Sequence, residues 1–268
     1  TLRAAVTAVP DAPEAHLALG QMCLSRGLPT EALPHLKKAF LLSPGSEQAA
    51  LYYGRTLREL GHAADARAVL ERHQDNWASC PELAYEYAQV MLDLHDAESA
   101  LPALETALRG GYPVLDGYLL YAKILMGEYR TSSENWSPEL VSARMQQADQ
   151  ALQRILEIDP DNLEARFLMA DILRERGQLD EALEMYRSLG EMTHDSKPEL
   201  RWRIQWGLGR TAMSLDQVDI ALASLKEACQ LKPGFFALHR DLAEASLRAN
   251  LQQEALDAAA NALQISPD

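Results

Sequence analysis

Small and apolar residues return along this chain at fixed intervals, and the interval is that of a helical hairpin. Three stretches carry the pattern most fully: PEAHLALGQMCLSRGLPTEALPHLKKAFLLSPGS from Pro13, NLEARFLMADILRERGQLDEALEMYRSLG from Asn162, and IQWGLGRTAMSLDQVDIALASLKEACQLKPG from Ile204. The period is near 34 residues, which is the signature of stacked helix pairs. Within a repeat a small residue sits eight positions in, an Ala lies twelve later and a Pro closes the repeat twelve after that. The trios are Gly20, Ala32 and Pro44, then Gly209, Ala221 and Pro233, then Ala243, Ala255 and Pro267. Small residues let two antiparallel helices approach closely. The Pro ends the second helix because it lacks an N–H and clashes with the preceding turn.

The repeats read as 13–46, 47–80, 81–114, 115–162, 163–201, 202–235 and 236–268, with 1–12 as the tail of a preceding repeat. The fourth carries 14 extra residues, near 127–140, and the fifth carries 5. In the fourth, Ser137-Pro138-Glu139 reads as a cap followed by a first-turn proline, so its second helix should run from about Pro138 to Ile158. Residues Thr131 to Trp136 are then a loop tip. This is either a tolerated surface insertion or a partner-contacting finger anchored by Trp136. In the fifth, Lys197-Pro198-Glu199 opens a longer first helix reaching Leu215. On the last helix Leu256, Ala260 and Leu263 are expected to pack inward, with Ala259 and Ala262 at the place where a following repeat would dock.

The order Leu19-Gly20…Ala32…Leu36…Ala39…Pro44 recurs as Leu208-Gly209…Ala221…Leu225…Ala228…Pro233 and resembles the tetratricopeptide repeat. His16 and His239 stand where that family has a large aromatic. The resemblance runs from about Pro13 to the end. It implies an all-α, right-handed superhelical solenoid of antiparallel helix pairs over 1–268, similar to a bacterial-type array taken from a longer protein. It further implies that the first helix of each repeat lines an inner groove, with its fifth, ninth and twelfth residues pointing inward. Offsets of four and three stay on one helix face, in agreement. Those places hold Leu17, Gln21, Leu24; Leu51, Arg55, Arg58; Tyr85, Gln89, Leu92; Leu119, Lys123, Met126; Phe167, Asp171, Arg174; Trp206, Arg210, Met213; and Arg240, Glu244, Leu247. Six of the 21 are basic and two acidic. Arg and aromatic residues dominate interface energies. The candidate contact residues are therefore Arg55, Arg58, Tyr85, Lys123, Phe167, Arg174, Trp206, Arg210 and Arg240, and the groove should carry positive potential. The family's carboxylate-gripping Lys and Asn set is not matched, since Leu17 and Gln21 occupy its places.

Composition points the same way. The 268 residues are 47% hydrophobic, and 39 acidic against 25 basic residues give a net charge of −14. That balance disfavours nucleic acid and anionic membranes as partners. No run of 18 apolar residues occurs. The three cysteines, Cys23, Cys80 and Cys229, lack metal-ligand spacing, and the seven histidines are scattered. Neither a glycine-rich phosphate loop nor a nucleophile elbow is present. The expectation is a cytoplasmic interaction scaffold with no catalytic activity, cofactor or metal. Its partner would be a protein or peptide segment with acidic and apolar side chains. The rival readings are a module that self-associates through its ends, or an RNA-binding helical repeat.

Overall fold

The structure, a computed structural model, describes residues 9, 11–112, 114–129, 136–193 and 198–266. Among them are fourteen α-helices and no strand. In chain order these are α1 (Pro13–Ser25), α2 (Pro29–Leu42), α3 (Glu47–Glu59), α4 (Ala63–Glu71), α5 (Pro81–Asp93), α6 (Ala97–Arg109) and α7 (Val114–Leu125). They continue with α8 (Pro138–Ile158), α9 (Leu163–Glu175), α10 (Leu179–Met192), α11 (Pro198–Ser214), α12 (Val218–Leu231), α13 (Phe236–Arg248) and α14 (Gln252–Ile265). The chain divides into two compact lobes, Thr1–Ala151 and Leu152–Asp268, and the division falls inside α8.

Local chemistry explains the boundaries. Proline opens α1, α2, α5, α8 and α11, where its missing N–H is one that a helix start leaves unbonded anyway. Side chains cap others: Ser46 accepts from the Ala49 N–H, Asp96 from Ser99, and Asn162 from Ala165. Ser137 accepts from the Leu140 N–H at 3.2 Å, so the expected cap and proline do open the long helix α8. Helix α11 opens at Pro198 as the sequence predicts and stops at Ser214, one residue early.

In six repeats the fifteenth residue has positive φ and turns the chain from first helix to second. Gly27, Gly61 and Gly177 do so without strain, whereas His95, Asp216 and Asn250 hold the same left-handed conformation with a Cβ.

From α1 to α7, and again from α9 to α14, successive helices pack on one another, and first helices also touch first helices: α1 with α3 and α3 with α5, then α9 with α11 and α11 with α13. The small eighth residues make the close approaches. A Cβ on Gly54 would stand 2.7 Å from the Leu70 side chain, and one on Gly209 would stand 2.6 Å from Leu225. Leu19, Ala32, Leu36 and Ala39 are buried, as are Leu208, Ala221, Leu225 and Ala228 one period set later. The second repeat departs from the pattern. Its α4 is short, and a 3₁₀ turn at Gln74–Asn76 carries Trp77 into the core against Tyr87, ring centroids 4.7 Å apart.

The last helix reverses the expected face. Ala255, Ala258 and Ala262 pack inward, while Leu256 and Leu263 are 65% and 62% exposed. Leu222 and Cys229, which occupy the same register 34 residues earlier, are only 8% and 7% exposed because α13 covers them through Leu238 and Leu242. Leu256 and Leu263 thus mark the docking face, and Ala262 belongs to the core.

Candidate partner-binding surface

Arg55 and Arg58 share one face of α3, three residues apart. The helix beside them, α5, offers Glu86. Arg55 Nε donates to Glu86 Oε2 at 3.0 Å and Arg58 Nε to Glu86 Oε1 at 2.6 Å. The Glu86 side chain is only 2% exposed, so both guanidinium groups are held against a carboxylate that water hardly reaches. Arg58 also lies 3.8 Å from Asp93. Tyr85, next to Glu86, is half-buried and meets Tyr112 edge-on at 5.7 Å. Lys123 is half-buried on α7.

The second lobe repeats this arrangement. Glu86 and Asp241 are each the sixth residue of their repeat, and each lies 31 residues after an Arg at the ninth position of the repeat before, Arg55 and Arg210. Asp241, buried on α13, accepts from the Trp206 indole N–H at 2.8 Å and from Arg240 at 2.8 and 3.0 Å. Arg210 stands farther off, 3.9 Å from Asp241, with its guanidinium over the Trp206 ring at 5.3 Å. Trp206 also meets Phe235 edge-on at 5.3 Å and stacks near Trp202 at 6.3 Å. Between α11 and α13 lies a cleft of about 550 Å³ lined by Arg210, Met213, Ser214, Arg240, Asp241, Glu244 and Arg248.

Two expected contact residues are differently placed. Phe167 is 3% exposed and is a core residue: it packs on Tyr186 with centroids 6.2 Å apart, and the Arg203 guanidinium covers its outer face at 4.6 Å. Arg174 is clamped between Glu175 at 2.7 Å and Asp171 at 3.6 Å. Asp171 also accepts from the Tyr186 hydroxyl. Burial pushes the Asp171 carboxyl above the usual carboxylate range, against the opposing pull of the Tyr186 hydrogen bond and the Arg174 charge. Burial and then the Asp171 charge push the Tyr186 hydroxyl up as well. The stripe expected to carry positive potential also holds acids. Glu86, Asp93, Asp171, Glu175 and Asp241 sit among its cations and pair with them.

Trp136, the expected anchor of the insertion, lies against Arg144. It is half-buried, and the Arg144 guanidinium lies 4.1 Å from its ring centroid while also donating to Glu98 at 2.7 Å. The rest of the expected finger, 130–135, lies outside the described residues. Sequence reasoning missed Glu86, Asp241 and Arg248. The signal for the first two was an acid at the sixth position, inside an otherwise apolar helix face.

No group of three or more His, Cys, Asp or Glu side chains able to hold a metal ion occurs among the described residues. His16 stacks on His35, and His239 donates to the Pro233 carbonyl at 2.8 Å. Cys229 is buried, and burial pushes its thiol up to about 11. No helix among the described residues is long and apolar enough to cross a membrane.

Helix pairs on a 34-residue period, closed by small residues and braced between first helices, define a helical-repeat scaffold. Models of the tetratricopeptide repeat match residues 23–76 and 142–201 and, from a second model, 53–115 and 207–268. The chain belongs to the tetratricopeptide repeat family, a non-catalytic family of protein-interaction scaffolds. No curated protein matches it in sequence. Among solved structures it is similar to a tetratricopeptide repeat protein from Parabacteroides merdae ATCC 43184, with TM-score 0.65, 17% identity, and coverage of 95% of this chain and 93% of that one. It is also similar to a chain of the Cut9–Hcn1 hetero-tetramer of the APC/C, at TM-score 0.60 and 12% identity, over 99% of this chain and 55% of that one. A third similar structure is MamA, at TM-score 0.51 and 16% identity, over 67% of this chain and 94% of that one. At these identities the likeness is one of fold.

Proposed function

We propose that the first helices of the repeats bind an extended or helical segment of a protein partner that bears acidic and apolar side chains. The observation that carries this reading is the gathering of cations and aromatics on those helices in a chain of net charge −14. Arg210 and Arg240 keep 43% and 60% of their side-chain surface exposed, and Trp206 lies beneath the first of them. Exposed guanidinium groups backed by an indole suit carboxylate recognition, because the planar fork is held in place before the ligand arrives.

Selection of random twelve-residue peptides on the purified protein tests the reading. Retained peptides should be enriched in Glu, Asp and large apolar residues. A photoreactive group on them should label α3, α5, α11 or α13. Peptides without acidic enrichment, or labelling confined to the second helices, would overturn it.

A second reading is self-association through α14. Exposed Leu256 and Leu263 favour it, since their counterparts Leu222 and Cys229 are covered by a neighbouring helix. Light scattering across a concentration series decides it: a mass that rises with concentration, and falls to the monomer in Leu256→Glu, supports association through this face.

A further inference from the structure

The two braces look alike in sequence, yet they leave their arginines in different states. In the first lobe Glu86 takes an Nε hydrogen bond from both Arg55 and Arg58, one on each carboxylate oxygen. Those two cations and that anion form a closed set, completed by Asp93. In the second lobe both oxygens of Asp241 are occupied by Trp206 and Arg240, and Arg210 is left at 3.9 Å, beyond hydrogen-bond length. Arg248 enters the same cleft from the end of α13, bonded to Glu244 at 2.7 Å and to the Met213 carbonyl at 3.1 Å. Its side chain is 45% exposed.

We propose that Arg210, Arg240 and Arg248 form a subsite that takes one carboxylate side chain of an acidic partner segment, whereas Arg55 and Arg58 are structural braces that take no part in recognition. The proposal rests on the reading that first helices bind an acidic segment and assigns the place where the acid is read. Charge decides the ligand. Three guanidinium groups face two carboxylates, Asp241 and Glu244, so the cleft keeps one positive charge. A glutamate or aspartate side chain cancels that charge. A phosphoryl dianion would leave the cleft negative in an already acidic protein. The cleft, at about 550 Å³, has room for an acidic side chain, and Met213 offers an apolar wall to the methylenes of a glutamate. The stacking of Arg210 on Trp206 fixes one donor plane in advance, which raises the return on a bidentate contact.

The test uses fluorescein-labelled hexaglutamate and hexaglutamine peptides with the whole chain, read by fluorescence anisotropy at low salt, where screening is weak. Hexaglutamate should bind and hexaglutamine should not. R210Q and R240Q should each weaken hexaglutamate about tenfold. R240K should recover only part of the loss, because a point charge cannot replace the fork. R154Q, at an exposed pair remote from the cleft, should bind like the parent. Far-UV circular dichroism and melting of each variant confirm that it is folded. If R55Q or R58Q weakens hexaglutamate and R210Q and R240Q do not, the cleft assignment fails while the wider reading stands. Equal binding of the two peptides overturns the acidic preference and the subsite together. Displacement of hexaglutamate by inorganic phosphate at lower concentration than by free glutamate overturns the assignment to a carboxylate.

Discussion

Two acids on first helices show how much one charge can decide at the scale of a residue. Glu86 is held by two guanidinium groups across the α3–α5 contact. Glu86→Gln should therefore cost about 2 kcal/mol in urea unfolding, since charge-assisted hydrogen bonds are lost and two arginines are left facing an amide. Asp171 is the opposite case. Its carboxyl is raised above the usual range, chiefly by burial, so the folded chain holds this proton to a higher pH than the unfolded chain does. The contribution of this group to stability is fullest below the unfolded carboxylate range and is lost as pH rises through the raised value. Asp171→Asn keeps an acceptor for the Tyr186 hydroxyl and removes the half-buried charge. It should raise the melting temperature at neutral pH and flatten the pH dependence above the usual carboxylate range. A lower melting temperature at neutral pH would show that attraction to Arg174 outweighs burial.

At the scale of the element, the left-handed turn residue is the point of strain. His95 makes at positive φ the turn that Gly27 and Gly61 make freely. His95→Gly should stabilise the chain by up to about 1 kcal/mol, reduced by the greater freedom of glycine in the unfolded state. Asn250→Gly should do little, because Asn tolerates this conformation. Thermal melting of the two variants side by side checks the difference. Helix existence, pairing and several ends were legible in the residues themselves. Pro138 and Pro198 marked two unusual starts, and the Gly-Leu spacing marked the close packing between paired helices. The contact surface was less legible. Rules about the fifth and ninth positions locate a face, but they do not say what else covers it. Phe167 obeys the rule and is still roofed by Arg203. Arg55 and Arg58 obey it too, and they meet Glu86, which lies on another helix 31 and 28 residues away. On α14 the sequence spacing points Leu256, Ala260 and Leu263 inward. Ala255, Ala258 and Ala262 take that face instead, because close contact with α13 leaves little room.

For the molecule as a whole, the period makes equivalent residues into controls for one another. Leu222 and Leu256 share chemistry and register and differ only in having a neighbouring helix. Leu222→Ala should cost about 2–4 kcal/mol, whereas Leu256→Ala should stay within about 0.5 kcal/mol of the parent. Equal costs in chemical denaturation would mean that α13 contributes little to holding α12. The same pair turns the second lobe into a gauge of coupling between neighbours. In a chain where each repeat touches only the next, opening free energy is the sum of an intrinsic part and a nearest-neighbour part. Helix α12 has the neighbour and α14 exposes the matching face. The ratio of their amide exchange rates therefore reports the nearest-neighbour part directly, as one number that should recur wherever two of these hairpins meet.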